Sequence, residues 1–458
     1  MIAASIPECI ARLRGAFDSR KTRPIEWRLE QLSRLKAMCA ANEARIAEAL
    51  HEDFGKNGFE TWLTEIGATV AEIDHATKHL KRWMKPLKVS TPITNQPGSS
   101  TIVRDPLGVV LIIAPWNYPF HLVVAPLVAA IAAGNCALVK PSELTPKTSA
   151  LVAELVASHL DADAFAVIEG GTEVATELLE QRFDHIFYTG SGQVGRIVMR
   201  AAARHLTPVT LELGGKSPCI VAEDADLAIA ARRIAWGKFI NAGQTCVAPD
   251  YVLAHPRIIE QLVLKLESVI RDFYGADPKT SGDYARIINE RNFDRLAALL
   301  ASGKAAIGGA SDRAERYIAP TVLTGVSPDS PVMREEIFGP ILPLVEVADI
   351  DAAIRFVNAR DKPLALYLFT RSEAIREQVI DATSSGGVCI NDVVMHLAVP
   401  DLPFGGVGAS GMGAYHGHAG FLALSHAKSV LTKSERMEVP LRYPPYSDLK
   451  SRWIRRVA

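Results

Sequence analysis

The longest uncharged stretch of the chain strongly restricts what it can fold into. Residues 107–139 contain no Lys, Arg, Asp or Glu, and hydropathy alone would suggest a membrane span. Pro115-Trp-Asn-Tyr-Pro119 interrupts the stretch early and Gly134-Asn135 interrupts it late, which leaves pieces of strand and helix length. A buried βαβ unit is therefore favoured over a membrane span, since parallel strands covered on both faces are uniformly apolar. The predicted elements are strand 109–114, helix 122–133 and strand 136–140.

The length of the chain requires more than one folded unit. Its 458 residues exceed the roughly 250 to 300 residues at which a single core stops growing. Residues 7–85 have apolar positions at helical spacing. Strands and helices then alternate from 109 to about 209, as in a doubly wound nucleotide-binding domain, and a second α/β series follows to about 391. The proline-containing segment 86–105 and the segment after 392 indicate extended arms.

Charge and cysteine usage exclude several classes of protein. Lys and Arg total 50 against 51 Asp and Glu, a net charge of -1, which gives no general attraction for nucleic acid or an acidic membrane. The six cysteines are scattered without a CxxC pair, so neither a metal site nor a disulfide framework is predicted. The start of the chain lacks a basic segment followed by an apolar one, which argues against a secretory signal. A reducing cytoplasm is the predicted location.

A thiol and a carboxylate supply the strongest chemical signal. Cys246 stands among small residues in Asn241-Ala-Gly-Gln-Thr-Cys246, and Glu212 stands beside glycines in Leu211-Glu-Leu-Gly-Gly-Lys216. A cysteine attacks carbonyl carbons as a thiolate, and a nearby positive dipole or cation would raise the thiolate fraction. A partly buried carboxylate with a raised pKa would suit a general base that activates water. An inert core cysteine is the alternative for Cys246 taken alone.

Phosphate and ribose contacts are predicted at the ends of two strands. Gly190-Ser191 and Gly195 follow an apolar strand and open a helical pattern, so a phosphate could approach the helix N-terminus. The spacing is not GxGxxG, and an ordinary tight turn is an equal alternative. Lys140 and Glu143 follow strand 136–140, at the edge where open α/β sheets bind ligands. Solvated surface charge is the alternative for this pair.

Two further side chains suit the same chemistry. Asn117 lies just beyond strand 109–114 and its amide could donate to a developing oxyanion. Glu336, in Glu335-Glu336-Ile-Phe338, places a carboxylate beside an aromatic residue and suits the hydroxyls of a nicotinamide ribose.

Five ordered runs together resemble the aldehyde dehydrogenases over nearly the whole chain. They are Pro115-Trp-Asn-Tyr-Pro119, Lys140-Pro-Ser-Glu143, Leu211-Glu-Leu-Gly-Gly-Lys216, Gly243-Gln-Thr-Cys246 and Glu336-Ile-Phe-Gly-Pro340. The runs His205-Leu-Thr-Pro-Val-Thr210, Trp236-Gly-Lys-Phe239 and Leu402-Pro-Phe-Gly-Gly406 are similar to the class 3 branch. Tyr415-His-Gly-His-Ala-Gly-Phe421 is similar to the coniferyl aldehyde dehydrogenases within that branch.

The resemblance implies oxidation of medium-chain aliphatic or aromatic aldehydes by a homodimer, with NAD or NADP as cofactor. It implies Cys246 as nucleophile, Glu212 as general base and Asn117 as oxyanion donor. The implied cofactor contacts are Lys140, Glu143, Gly190, Ser191, Gly195, Leu213, Glu336 and Phe338. Leu122, Trp236, Ile240 and Thr245 are the candidates for an apolar substrate tunnel, with core packing as an equal alternative.

The same resemblance implies a fold and leaves rival functions to be separated. The predicted fold is α/β, with a Rossmann-like doubly wound NAD(P)-binding domain (1–85 and 106–210), an α/β catalytic domain (211–392), and an oligomerisation arm with a C-terminal tail (86–105 and 393–458). A coniferyl aldehyde dehydrogenase specifically is one alternative function. An acyl transfer to coenzyme A and a catalytically silent scaffold are others, and the presence of Glu212 and of a complete site argues against both.

Overall fold

The computed structural model describes residues 5–438 and 440–457. Over these residues the helices are α1 (Ile6–Asp18), α2 (Ile25–Ala41), α3 (Glu43–Phe54), α4 (Gly58–Thr61), α5 (Gly67–Trp83), α6 (His121–Ala133), α7 (Pro146–His159), α8 (Thr172–Leu179), α9 (Gly192–Ala203), α10 (Leu227–Phe239), α11 (Pro256–Tyr274), α12 (Glu290–Leu299), α13 (Ile350–Asn358), α14 (Glu373–Ala382), α15 (Gly417–Ala423) and α16 (Asp448–Val457).

The strands of the same described residues form four sheets. They are β1 (Leu87–Val89), β2 (Gly98–Pro106), β3 (Val109–Ile113), β4 (Cys136–Lys140), β5 (Phe165–Val167), β6 (His185–Thr189), β7 (Val209–Glu212), β8 (Pro218–Val221), β9 (Tyr251–Ala254), β10 (Lys304–Ile307), β11 (Ser311–Asp312), β12 (Tyr317–Ile318), β13 (Thr321–Thr324), β14 (Ile341–Glu346), β15 (Ala365–Phe369), β16 (Gly387–Ile390), β17 (Gly411–Met412) and β18 (Ser425–Lys433).

The uncharged stretch folds as the predicted βαβ unit. β3, α6 and β4 begin and end within one residue of the predicted limits, and β3 pairs parallel with β4. Every residue of α6 is buried, as is every residue of both strands. Burial on both faces therefore accounts for the absence of charge. Among the helices of the described residues, none combines the length and apolar character needed to cross a bilayer.

The βαβ unit lies at the centre of a six-stranded sheet in the order β17-β7-β6-β3-β4-β5. All neighbouring pairs are parallel except β17 with β7. The chain runs outward from β3 in both directions, to β4 and β5 on one side and to β6 and β7 on the other. This reversal is the topological switch point at which doubly wound sheets bind ligands, beyond the carboxyl ends of the strands.

A seven-stranded sheet forms the second α/β unit, in the order β10-β13-β14-β9-β8-β15-β16. Only the edge strand β10 is antiparallel to its neighbour. The chain crosses from the first sheet to the second between Glu212 and Pro218. Cys246 lies between α10 and β9, at the start of this second unit.

The predicted extended arm is found for part of its length. β1, β2 and β18 form a three-stranded antiparallel sheet. Two parts of 393–458, which was predicted to form extended arms and a C-terminal tail rather than another core, depart from an extended arm. Gly411–Met412 pairs with β7 in the six-stranded sheet and α15 packs against α5 and α6.

The second exception is the tail, where residues 448–457 form α16. The sequence supports a helix there, because Asp448 lies in the first turn and Arg455 and Arg456 lie in the last, each of which complements the helix dipole.

Candidate active site

Hydrogen bonds join the turn after β3 to the loop that carries Cys246. Asn117 Nδ2 donates to the carbonyl of Gln244 at 3.0 Å, and Asn241 Nδ2 donates to the carbonyl of Asn117 at 2.8 Å. The hydroxyls of Tyr118 and Thr245 are 2.6 Å apart. Hydrogen bonds therefore join the turn that carries the predicted oxyanion donor to the loop that carries the predicted nucleophile.

The backbone of the cysteine loop is held in an unusual conformation. Asn241, Ala242 and Gly243 all have left-handed φ values, of 53°, 50° and 75°. Gly243 is required because a Cβ there would collide with the backbone of Gly339. A non-glycine residue with left-handed backbone angles costs free energy, so contacts with the surrounding structure must hold Asn241 and Ala242 in this conformation.

Gln244 anchors this strained loop. Its buried side chain donates to the carbonyls of Asn241 and Arg286, each at 3.0 Å, and accepts from the N–H of Ile288 at 3.0 Å. The polar groups of the side chain are thus fully occupied inside the protein. Asn241, Gln244 and Tyr118 were not predicted as functional residues, although two amides in a run of small residues are a signal that could have been read.

Cys246 lies in an environment that favours the neutral thiol. Burial, followed by the nearby charges of Glu336 and Glu212, raises the pKa of Cys246 to about 12. The N–H groups of Cys246 and Val247 act in the opposite direction, with smaller effects. No cation is among the main influences on this pKa, unlike the arrangement that would raise the thiolate fraction.

Glu212 ends β7 and is 2% exposed. Neither of its carboxylate oxygens has a hydrogen-bond partner among the described residues. Burial raises the pKa of Glu212 well above its ordinary value. An unpaired buried carboxylate is costly, and a raised pKa is the property that a general base working near neutral pH needs.

Glu336 and Phe338 lie in a loop that reaches the same region. A Cβ on Gly214 would collide with the Glu336 carboxylate, and the Phe338 ring meets that of Trp116 edge-on at 5.3 Å. Burial, followed by the charge of Asp250, raises the pKa of Glu336 to about 8. The loop is therefore packed against both the glycines after Glu212 and the turn that contains Asn117.

Buried charges that were not predicted hold this loop. Asp250 accepts the N–H of Ile337 at 3.1 Å and forms an ion pair with Lys216. The Lys216 ammonium also donates to the carbonyl of Glu335 at 2.9 Å. Lys238 is fully buried 3.9 Å from Asp250, and burial lowers its pKa to about 8. Nothing in the local sequence separates Asp250 from an ordinary surface carboxylate, since its partners come from distant segments.

Four of the predicted cofactor residues, Lys140, Glu143, Gly190 and Ser191, lie at the carboxyl edge of the six-stranded sheet. Lys140 ends β4, and its ammonium is 2.6 Å from the Glu143 carboxylate. Ser191 is the N-cap of α9, and its hydroxyl accepts from Val194 N–H at 3.4 Å. Gly190, just before it, donates its N–H to the carbonyl of Glu212 at 3.0 Å, which ties the turn to β7.

The residues present fit a dinucleotide. A Cβ on Gly190 would collide with the Tyr188 hydroxyl, and one on Gly195 would lie 2.9 Å from Leu213. Gly190, with a φ of 157°, therefore needs glycine, whereas at Gly195 the end of the Leu213 side chain would have to shift. The Thr189 hydroxyl is buried at this edge with no partner among the described residues. A helix N-terminus, a close backbone approach and an unused buried hydroxyl are what a pyrophosphate-containing ligand requires.

The four tunnel candidates are only partly drawn together. Thr245 is bound to Tyr118, and Leu122 lies in the first turn of α6, where its N–H donates to the carbonyl of Tyr118 at 2.9 Å. Trp236 and Ile240 lie one turn apart at the end of α10, Trp236 partly exposed and Ile240 buried. Their assignment to a substrate tunnel stays a prediction.

A doubly wound sheet, a second α/β unit and a cysteine loop at their junction define a nucleotide-dependent oxidoreductase. A family model described as the aldehyde dehydrogenase family matches residues 2–430. The chain therefore belongs to the aldehyde dehydrogenase family and is an NAD(P)-dependent aldehyde dehydrogenase. The predicted family and fold class are confirmed.

Several relatives match almost end to end. The dimeric NADP-preferring aldehyde dehydrogenase of Rattus norvegicus is 51% identical over 444 residues, 96% of this chain and 98% of the relative. Aldehyde dehydrogenase family 3 member B1 of Homo sapiens is 50% identical over 449 residues, 98% of this chain and 96% of the relative. A solved structure described as the substrate-bound state of Staphylococcus aureus AldH superimposes with a TM-score of 0.96 at 48% identity and covers 99% of both chains.

Proposed function

We propose that the chain oxidises medium-chain aliphatic or aromatic aldehydes to carboxylic acids through a thioester on Cys246. The observation that carries the proposal is the hydrogen-bonded junction between the Asn117 turn and the Cys246 loop. It supports a site in which nucleophile and oxyanion donor act on the same carbonyl group.

In the first step Cys246, which is partly exposed, loses its thiol proton to water, and the thiolate attacks the aldehyde carbon to form a thiohemiacetal. Its oxyanion accepts hydrogen bonds from the second N–H of the Asn117 amide and from the backbone N–H of Cys246. A donor of this kind typically stabilises a transition state by about 3 kcal/mol. NAD(P), with its nicotinamide half held by Glu336 and Phe338, would supply the acceptor for the hydride that leaves the substrate carbon.

Hydrolysis of the thioester is assigned to Glu212. Its carboxylate removes a proton from water, the water oxygen attacks the thioester carbon, and the sulfur of Cys246 leaves with the bonding pair. Among the described residues the Glu212 carboxylate has no hydrogen-bond partner, which supports this role because its oxygens are available to a water molecule. Glu336 and Phe338 are proposed to hold the nicotinamide half of the cofactor, and Lys140, Glu143, Gly190, Ser191, Gly195 and Leu213 its adenosine and pyrophosphate half.

The same proposal assigns portions of the chain and an assembly. Residues 1–85 and 106–210 would bind the cofactor, residues 211–392 would carry the nucleophile, and the antiparallel arm would join two copies in a homodimer. The description of the rat relative as dimeric supports the last point. The proposal also includes a cytoplasmic location, which the six free cysteines of the described residues support.

A nicotinamide absorbance assay tests the function. Purified protein is given hexanal, benzaldehyde or coniferaldehyde with NAD or NADP, with and without coenzyme A. Reduction of either cofactor without coenzyme A supports the proposal. A strict need for coenzyme A would assign an acyl transferase step instead, and silence with every aldehyde would favour a scaffold. Activity confined to coniferaldehyde would narrow the function to that substrate.

A further inference from the structure

Three charged side chains enter the interior from the 56–65 segment, which runs from the end of α3 to the start of α5. Lys56 and Glu65 are both completely buried, with Lys56 Nζ 2.7 Å from Glu65 Oε1. Glu60 is buried on the same segment. Glu65 lies in a π-helical turn, Trp62–Ile66, and such turns are frequent at functional sites. None of these three side chains has a part in the mechanism given above.

Glu65 holds the turn that contains Asn117. Its second carboxylate oxygen accepts the N–H of Phe120 at 3.2 Å and that of His121 at 2.9 Å. These N–H groups open α6 and have no partner within the helix. A carboxylate at this end is also favoured by the helix dipole. The start of α6 is thereby fixed only a few residues after the predicted oxyanion donor.

Lys56 reaches the loop of Cys246 through one intervening side chain. Its ammonium lies 4.2 Å from the centre of the Tyr118 ring, a cation–π contact that is strong when both groups are buried. The hydroxyl of that ring is bonded to Thr245, the residue before the nucleophile. The position of the Tyr118 ring therefore links the ion pair to the cysteine loop.

Glu60 supplies a third contact to the same loop. Its carboxylate accepts the N–H of Asn241 at 2.9 Å. Asn241 is the left-handed residue whose amide binds the carbonyls of both Asn117 and Gln244. The 56–65 segment thus contacts both the Asn117 turn and the Cys246 loop. It does so at N–H groups without a helical partner in the first case and at a residue with strained backbone in the second.

Folding stability alone does not account for this arrangement. Burying two charges costs free energy that their attraction rarely exceeds, and apolar residues of similar size are often equally stable in their place. We propose that Lys56 and Glu65 are positioning residues that hold the Asn117 turn and the Cys246 loop in register for attack on the aldehyde. The proposal rests on the proposed roles of Asn117 and Cys246.

The test compares Glu65→Gln, the double variant Lys56→Met/Glu65→Leu, and Tyr118→Phe in the full-length enzyme. The double variant removes both charges but leaves the N–H groups of Phe120 and His121 without their acceptor, so its melting temperature should fall. Its kcat with hexanal should fall by about 10- to 100-fold, because displacing reacting groups by about an ångström has effects of this size. The KM for NAD should stay within about twofold, since the cofactor residues are not touched.

Arg28→Met is the matched control, because it loosens the other end of the same helix. Buried Arg28 donates to the carbonyl of Ala132 at 2.9 Å, in the last turn of α6. This variant should lower the melting temperature and leave kcat within about twofold. Wild-type kcat in the double variant would overturn the proposal. So would a fall in kcat no larger than that of Arg28→Met at the same melting temperature.

Two further arms keep the result interpretable. If the double variant does not fold, Tyr118→Phe provides the test. It keeps the ring over Lys56 and removes only the hydrogen bond to Thr245. An unchanged kcat in Tyr118→Phe would overturn the link between the ion pair and the cysteine loop. Cys246→Ala is measured in parallel. Substantial aldehyde oxidation by Cys246→Ala would instead show that the proposed function is wrong.

Discussion

At the scale of single residues, the reactive thiol and the base are both kept in their neutral forms by burial. The raised pKa of Cys246, about 12, means that the thiolate is a small fraction at neutral pH in the free protein. We therefore expect alkylation of Cys246 by iodoacetamide to accelerate about tenfold per pH unit between pH 6 and 9. Mass spectrometry of the modified peptide measures this rate. A plateau below pH 9 would contradict the raised pKa, and Cys246→Ser should abolish the labelled peptide.

Glu212 leads to a prediction that combines activity with stability. Its pKa in the folded protein is raised, so the folded state binds the proton more tightly than the unfolded state, and stability is lost as pH rises above the ordinary value of 4.5. Glu212→Gln keeps the neutral shape and removes that loss. The variant should therefore be more stable than wild type at pH 8, and the difference should shrink as the pH falls towards 4.5.

The same variant should lose thioester hydrolysis. We expect an initial burst of NADH from acylation, followed by a steady rate at least about 100-fold below wild type. Stopped-flow absorbance separates the two phases, and chemical denaturation gives the stability. A normal steady rate would move the base role to another group, with Glu336 the next carboxylate in the site.

At the scale of elements, sequence patterns located the strands and helices better than the contacts between them. The limits of β3, α6 and β4 could be predicted because uncharged composition and the breakers Pro115 and Gly134 act locally. The clustering of Lys216, Lys238 and Asp250 could not, since each is buried by segments far away in the chain. Lys56 and Glu65 were missed for the same reason. Helical spacing indicates which face of a helix is apolar. It does not reveal a buried carboxylate such as Glu65, which accepts the N–H groups of Phe120 and His121 more than 50 residues further along the chain.

The Asp250 cluster gives the prediction for this scale. Asp250→Asn keeps an oxygen for the N–H of Ile337 and loses the ion pair with Lys216. The loop with Glu336 and Phe338 should become less well fixed, so the KM for NAD should rise about tenfold with a smaller change in kcat. NADH fluorescence titration checks the same loss as a binding constant. Asp349→Asn, which alters the N-cap of α13, is the control and should leave both quantities unchanged; an unaltered KM in Asp250→Asn would remove the role of the cluster.

At the scale of the whole molecule, the arm was predicted from proline content and its sheet exposes an apolar face. Val89 pairs with Ser100, and Ser100 with Leu431, so Val89 and Leu431 lie in register on one face, with Leu87 two residues before Val89 on the same side. Val89 is 42% exposed, Leu431 is 51% exposed and Leu87 is 55% exposed. Ser100 of the central strand lies between Val89 and Leu431. Exposed apolar side chains gathered on one face of a sheet suit an interface, and the proposed homodimer supplies the second surface.

We therefore expect Val89→Asp/Leu431→Asp to dissociate the dimer. Light scattering coupled to size-exclusion chromatography should give a mass near 49.6 kDa for the variant and about twice that for wild type. Thr432→Asp is the matched control, since adjacent residues of a strand point to opposite faces, and it should remain dimeric. A double variant that stays dimeric would show that another surface joins the two copies. The cofactor and catalytic residues come from the two α/β units of one chain, so a folded monomer should still bind the cofactor. NADH fluorescence measures this binding. If binding is lost together with the dimer, the partner copy must stabilise the nucleotide-binding edge of the six-stranded sheet.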